Sequence, residues 1–302
     1  MDFNIHLVAP RGYCAGVNRA IRILDETIKK YKWETVYVNH EIIHNKYIIN
    51  FYKKKWVVFE EKLENIPENS NLIVSAHGIG PDSLNEFKRK NLNIIDAVCP
   101  LVNRVHIKAK KLISEWKKII YIWKKWHQEA VWIIENWREN IFLVQNIWEI
   151  ENLEFKDNEK LAILTQTTLS TLETADIIKK LQENFKDIEI QKDDICYATT
   201  NRQKAVLELT KICDLVIIVW SKNSSNSNKL KELAEKSNVK ALLIDSYKEI
   251  DLELLKKSKS IWISSGASAP EILVTELVDF LKQKWWNLKK EIVTQEENIV
   301  FK

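Results

Sequence analysis

Short β-branched runs alternate with amphipathic stretches along almost the whole chain. Asn4–Val8, Thr35–Val38, Leu72–Ser75, Asn93–Asp96, Ile119–Ile122, Ile141–Val144, Leu161–Thr165, Leu215–Val219, Ala241–Ile244 and Ser260–Ser264 predict strands. Between them, Asn18–Tyr31, Asn103–Ser114, Thr171–Asn184, Arg202–Ile212, Ser227–Ser237 and Pro270–Lys284 predict helices. Such alternation implies an α/β architecture with mainly parallel sheets. No apolar run approaches the ~20 residues that cross a bilayer. The opening residues also lack the basic then long apolar pattern of a secretory signal. The chain therefore reads as a cytoplasmic protein, and a membrane, collagenous or disordered chain is excluded.

A weak internal repeat refines this picture. Cys14 precedes Ala-Gly-Val-Asn18-Arg19, Cys99 precedes Pro-Leu-Val-Asn103-Arg104, and Cys196 precedes Tyr-Ala-Thr-Thr-Asn201-Arg202. Each cysteine follows an apolar strand and opens a helix carrying Asn-Arg near its start. The spacing leaves room for one small α/β unit per repeat. The expected units are residues 15–98, 99–194 and 195–284, the last completed by the N-terminal strand within 1–14, with 285–302 as a tail. Three equivalent cysteine-bearing strand ends would then surround a pseudo-threefold axis.

Three converging thiolates without a matched fourth suggest an iron–sulfur cluster with one iron open to substrate. The spacing lacks the close cysteine pairs of a zinc ribbon. Cys213 stands outside the repeat and reads as a small buried apolar residue. A second class of feature is a set of polar loops at strand ends. They are Ser75-Ala-His77, Trp126-His127-Gln-Glu129, Ser221 to Ser227 with Ser224, Ser225 and Asn226, and Ser265 to Ser268; His44 adds to them. In open α/β sheets ligands bind beyond the carboxyl ends of strands, and hydroxyl, amide and helix N-terminal N–H groups suit phosphate oxygens. Ser224-Ser-Asn reads equally well as a helix cap. His6, His40 and His106 read as structural residues. Glu129 could deliver a proton, and the Thr165-Gln166-Thr167-Thr168 strand end could hydrogen-bond a substrate hydroxyl or simply cap a helix.

Composition adds one anomaly. Net charge is +4, too mild to imply nucleic-acid binding by itself. However, the 302 residues include 5 glycines and 12 tryptophans, against a usual glycine share of about 7%. Trp33, Trp116 and Trp137 follow helical stretches where a glycine would end the helix, and Trp285-Trp286 falls in a polar, lysine-rich turn that would suit two glycines. Lysine also far outnumbers arginine, as A+T-rich coding would produce. These observations suggest that most or all tryptophans stand where the native protein has glycine, through UGA codons read as Trp.

Taken in order, PRGYCAGVNRAI, HEIIHN, SAHGI, DAVCPLV, TQTTLS, DDICYATTNRQ, SKNSSNSNKL, SGASAPEILV and EENIVF resemble the 4-hydroxy-3-methylbut-2-enyl diphosphate reductases. The resemblance runs from Pro10 to Phe301. It implies three α/β units in a trefoil around a 4Fe–4S cluster held by Cys14, Cys99 and Cys196. It implies a substrate diphosphate held by His44, His77, His127, Ser224, Ser225, Asn226 and Ser268, with Glu129 as proton donor and Thr167 beside it. The implied reaction is reductive removal of an allylic hydroxyl as water, giving isopentenyl and dimethylallyl diphosphates in the non-mevalonate isoprenoid pathway. A ferredoxin- or flavodoxin-type protein would supply electrons. The family has glycine where this chain has Trp123, Trp126, Trp220 and Trp262, and an indole at Trp126 or Trp220 would crowd the pocket. Two rivals use the same residues: a structural zinc site of three cysteines and a histidine, and a phosphate-binding module without redox chemistry.

Overall fold

A computed structural model describes residues 3–125, 127–219, 224–284 and 286–302. Trp126, Trp220 and Trp285, and residues 221–223 of the serine-rich loop, lie outside the described residues. In chain order the strands are β1 (Phe3–Ala9), β2 (Val36–Asn39), β3 (Val57–Glu60), β4 (Asn71–Val74), β5 (Asn93–Asp96), β6 (Lys117–Ile122) and β7 (Ile141–Val144). They continue with β8 (Lys160–Thr165), β9 (Ile188–Ile190), β10 (Leu215–Val219), β11 (Lys240–Ile244), β12 (Ile261–Ser265) and β13 (Trp286–Val293). Among the described residues, all paired strands run parallel.

The three sheets have one topology. Their orders are β3-β2-β4-β5, β7-β6-β8-β9 and β11-β10-β12-β1, with β13 added beyond β1 in the last. The chain's first strand thus takes the fourth place in the third sheet. The molecule is a trefoil of three parallel α/β units. Strands β8, β10 and β12 are buried almost throughout, as the near-continuous apolar runs of two-sided parallel sheets require.

Ten helices pack against the sheets among the described residues: α1 (Ala15–Lys30), α2 (Lys46–Lys53), α3 (Pro81–Arg89), α4 (Pro100–Ser114) and α5 (Gln128–Trp137), then α6 (Thr171–Asn184), α7 (Tyr197–Leu209), α8 (Ser225–Lys236), α9 (Leu252–Leu255) and α10 (Glu271–Gln283). Helix α1 buries Val17, Ala20 and Leu24 against Val36, Val38 and Ile73 of the first sheet. In the second unit α4 buries Val105, Ala109 and Leu112 against Ile119 and Tyr121. In the third, Val206 of α7 packs with Val216 and Ile218. Each helix that opens at a repeated cysteine therefore belongs to the core of the following sheet. No helix among the described residues is long and apolar enough to cross a membrane.

Two pairs of tryptophans contrast. Trp56 and Trp116 have φ of 66° and 60°, a left-handed conformation otherwise taken, among the described non-glycine residues, only by His, Asn and Asp. They are 83% and 91% exposed, and each follows a helix end as a terminating glycine would. Trp262 and Trp286 differ, being buried in strands, with Trp262 stacked on His6 at 4.4 Å. The expectation of a polar turn at Trp286 is corrected: this residue opens β13 and pairs with Phe3. Trp137 closes α5 with φ −144°, so it does not end the helix in the left-handed manner expected of a glycine there.

Candidate active site

The threefold topology places three sets of loops around one cavity of about 110 Å³. Segments leaving the fourth strand of each sheet carry the cysteines, Cys99 after β5, Cys196 after β9 and Cys14 after β1. Segments leaving the third strand carry His77, Thr167 and Ser268. Those leaving the first-formed strand of each unit lead to His44, to His127 and Glu129, and to Ser224, Ser225 and Asn226. All twelve of these residues line the cavity.

The cysteines are set by one repeated device. Cys14, Cys99 and Cys196 each occupy the N-cap position of a helix, α1, α4 and α7 respectively. Their amides donate to Ala267, Ala76 and Thr167 at 2.9, 3.0 and 3.0 Å. Each acceptor lies two residues beyond the end of the third strand, β12, β4 or β8. Helix amides face the sulfurs, including Gly16 and Val17 N–H at Cys14, Leu101 and Val102 N–H at Cys99, and Thr199 N–H at Cys196. Such N–H groups favour thiolate. Burial opposes them and pushes the thiols upward, Cys99 to about 12 and Cys196 to about 11. An added cation is what tips this balance toward three thiolates.

The spacing of the thiols separates a cluster from a single ion. Among the described residues, the one set of three His, Cys, Asp or Glu ligand atoms lying within 4.8 Å of one another is His40, Glu41 and His44. The three sulfurs are more widely spread than that, whereas Zn–S bonds of ~2.3 Å would draw thiolates together. Gly16 shows how tightly the sulfurs are framed: a β-carbon there would stand 2.5 Å from Cys99 Sγ. The residues fit a multi-iron cluster held by three thiolates. Cys213 sits elsewhere, packed among apolar residues of the third unit.

The same cavity carries a polar wall. His44 and His77 stack at 4.2 Å, and His127 sits 6.1 and 6.2 Å from them. His40 completes the cluster, 5.7 Å from His44 and 6.2 Å from His77. The sequence suggests a structural role for His40; its backbone is left-handed, and it borders an adjoining space together with Lys124 and Lys125. Burial, reinforced by the neighbouring imidazoles, holds His77 well below its ordinary value and His127 at about 3. Glu41 accepts from His44 Nδ1 at 3.0 Å, and that contact pulls its carboxyl down. His77 Nδ1 and both amide atoms of Asn226 are buried without a protein partner. Unpaired polar groups of this kind cost stability unless a ligand meets them. Ser224 is both an N-cap, accepting from Ser227 N–H, and part of the cavity wall, so the cap and binding readings coincide.

Glu129 is 1% exposed, in the first turn of α5 rather than in the loop expected. It accepts from Thr167 N–H and Thr167 Oγ1, both at 2.8 Å. Burial raises its carboxyl to about 7 despite these two bonds. Sequence reasoning missed the apolar and aromatic part of the wall, notably Ile43, Leu101, Val102 and Tyr197. Adjacency to the cysteines was the available signal for three of them.

Comparison with known proteins agrees with this geometry. The model of the family described as LytB protein matches residues 5–282. The chain is 46% identical over 303 residues to a 4-hydroxy-3-methylbut-2-enyl diphosphate reductase of Wolbachia pipientis, covering 99% of this chain and 98% of that protein. Among solved structures, the E-1-hydroxy-2-methyl-but-2-enyl-4-diphosphate reductase from Plasmodium falciparum superposes with a TM-score of 0.95 at 37% identity, covering 99% of this chain and 94% of that one. A second solved structure, described as (E)-4-hydroxy-3-methyl-but-2-enyl diphosphate reductase, the terminal enzyme of the non-mevalonate pathway, superposes at 0.67 with 27% identity, covering 93% and 99%.

Proposed function

The chain belongs to the LytB protein family, and from that premise we infer that it reduces 4-hydroxy-3-methylbut-2-enyl diphosphate to isopentenyl and dimethylallyl diphosphates. Two electrons and two protons remove the allylic hydroxyl as water, in the terminal step of the non-mevalonate isoprenoid pathway. The observation that carries this reading at residue level is the convergence of three capped thiols, a polar wall and one buried carboxyl on a single cavity.

The family is one of iron–sulfur enzymes. Cys14, Cys99 and Cys196 would hold a 4Fe–4S cluster with one iron left without a protein ligand. When bound, it supplies single electrons and a Lewis-acidic iron for the leaving oxygen. The protein's own residues do the rest. His44, His77, His127, Ser224, Ser225, Asn226 and Ser268 bind the diphosphate at helix N-termini and orient the carbon chain toward the thiols. Glu129, buried and poised near neutrality, holds the proton that leaves with the hydroxyl. Thr167 Oγ1, 2.8 Å from Glu129 Oε2, fixes that carboxyl and provides a hydroxyl through which its proton can be replaced. The buried wall excludes water from the reacting atoms. A ferredoxin- or flavodoxin-type protein delivers the electrons one at a time.

Anaerobic purification tests the reading. The expected protein is brown, bleaches with dithionite, and turns the allylic diphosphate into both products. A colourless, redox-silent protein carrying zinc would overturn it. Tight diphosphate binding without colour would favour the phosphate-binding module instead.

A further inference from the structure

The Asn-Arg pair that recurs after each cysteine takes no part in the chemistry above. Its arginines nevertheless make one contact three times over. Arg19, on the helix opened by Cys14, donates through Nη1 to the carbonyl of Val98 at 3.1 Å. Val98 immediately precedes Cys99. Arg104, on the helix opened by Cys99, donates to the carbonyl of Asp193, three residues before Cys196. Arg202, on the helix opened by Cys196, donates through Nη2 to the carbonyl of Gly12 at 2.8 Å, two residues before Cys14. The series closes on itself: each cysteine's helix grips the segment that leads into the next cysteine.

Two of the three are themselves anchored by the C-terminal segment. Arg202 is 0% exposed and pairs with Glu297 at 3.0 Å, while Arg19 Nε donates to the Lys302 carbonyl at 2.8 Å. The guanidinium suits this work because its donors form a fixed planar fork and its charge is permanent. Side chains in an α-helix lean toward its N-terminus, so an arginine in the second turn reaches back to the cysteine-bearing end. The asparagines of the repeat share no such pattern: Asn18 and Asn103 are exposed and Asn201 is buried.

We propose that Arg19, Arg104 and Arg202 are positioning residues, a closed ring of staples that fixes the mutual spacing of the three cysteine-bearing segments. The proposal rests on the reading that these cysteines hold an iron–sulfur cluster. Groups one layer behind metal ligands typically alter metal affinity by about 10–100-fold when removed. The ring acts on the cluster's retention and symmetry rather than on the diphosphate wall, from which all three arginines are absent.

The test compares R19Q and R104Q with R22Q in the full, reconstituted chain. Arg22 is the matched control, since it lies on the same helix and donates to the Phe301 carbonyl at 3.0 Å, but to no cysteine segment. The first measurement is iron release to a chelator under anaerobic conditions, followed spectroscopically. R19Q and R104Q are expected to lose iron roughly ten-fold faster than the unsubstituted chain. Their reduced-state electron paramagnetic resonance signals should broaden, kcat should fall and KM for the diphosphate should hold. R22Q should match the unsubstituted chain in all of these. Since R202Q would leave a fully buried arginine's contacts with Glu297 and Gly12 unmade and could prevent folding, the proposal is judged on the two more exposed arginines. Unchanged iron release and spectra in both R19Q and R104Q would overturn it, as would equal loss in R22Q, which would reduce the effect to general helix or tail stability. Failure of the unsubstituted chain to bind iron–sulfur at all would instead defeat the underlying reading.

Discussion

The first and second units place different chemistry on the same scaffold. Their sheets share one strand order, and Cys99 and Cys196 leave the equivalent fourth strands to cap equivalent helices. Yet beyond the third strand the first unit puts His77 where the second puts Thr167. Beyond the earlier strand, the first unit leads to His44 and the second to His127 and Glu129. The third unit fills these places with Ser268 and with Ser224, Ser225 and Asn226. On the proposed function, symmetry is kept where three thiols would act alike and is abandoned where a substrate with two different ends would be oriented. A single carboxyl among imidazole, hydroxyl and amide groups gives the cavity a direction.

Breaking the symmetric part should have the largest effect. Cys14→Ser, Cys99→Ser or Cys196→Ser is expected to abolish cluster-dependent reduction, because the helix caps make the three equivalent. Cys213→Ser, in apolar packing away from the cavity, should leave turnover intact. Iron content and turnover measured together check this, and equal loss at all four positions would undo the assignment.

Removing the asymmetric carboxyl comes next. Glu129→Gln should bind the diphosphate normally while kcat falls by about 10²–10⁴-fold, the usual scale of lost acid catalysis. The pH profile gives the sign. Burial raises this carboxyl to about 7, so its acid form is present below that pH and disappears as pH rises through it. Turnover attributable to Glu129 should therefore decline on the alkaline side, and the Gln variant should lose that limb. Near-normal kcat with weakened binding would make Glu129 part of the diphosphate grip.

The diphosphate wall should show a smaller and different loss. Asn226 buries two unpartnered amide atoms, and His77 one ring nitrogen. Hydrogen bonds to charged groups are worth about 1.5–3 kcal/mol, so Asn226→Ala should raise KM by roughly ten- to a hundred-fold with little change in kcat. His77 and His127 are held low in the cavity without ligand. A bound polyanion raises them, so binding should take up protons near neutral pH. Titration calorimetry in buffers of different ionisation enthalpy measures this uptake; proton release on binding would contradict it.

What was legible in the chain follows the same division. Buried central strands such as Leu215–Val219 announce themselves as apolar runs, and the repeat around the cysteines announced the thiol geometry. Three strands did not. Ile188–Ile190 is only three residues long and Trp286–Val293 is an edge strand mostly exposed along its length, so neither carries a sustained apolar run, while Val57–Glu60 does carry Val-Val-Phe but is a four-residue sheet edge between charged flanks. Helices α2, α3, α5 and α9 are short, four to ten residues, so each offers few turns over which a helical period can be read. The place of His40 in the imidazole cluster depends on a left-handed turn that no local pattern required.

The smallest effects divide the tryptophans themselves. Trp56 and Trp116 hold a conformation that costs an L-residue roughly 1–2 kcal/mol and costs glycine almost nothing. Their indoles lie largely in solvent, so little packing offsets that strain. Trp56→Gly and Trp116→Gly should each therefore stabilise the printed chain, by about 1 kcal/mol in chemical denaturation. Trp262→Gly should do the reverse in the same chain, because its ring is buried against His6 and beside Val8 and Leu209. If glycine is native at all twelve positions, the gene carries UGA at each, and restoring all twelve together lets the core around position 262 close over the missing ring. The twelve-fold variant would then be at least as stable as the printed chain, and peptide masses of the native protein would report Gly. UGG codons at positions 56 and 116, with destabilisation on changing either to glycine, would show that the left-handed indoles are native and held by contacts stronger than their strain.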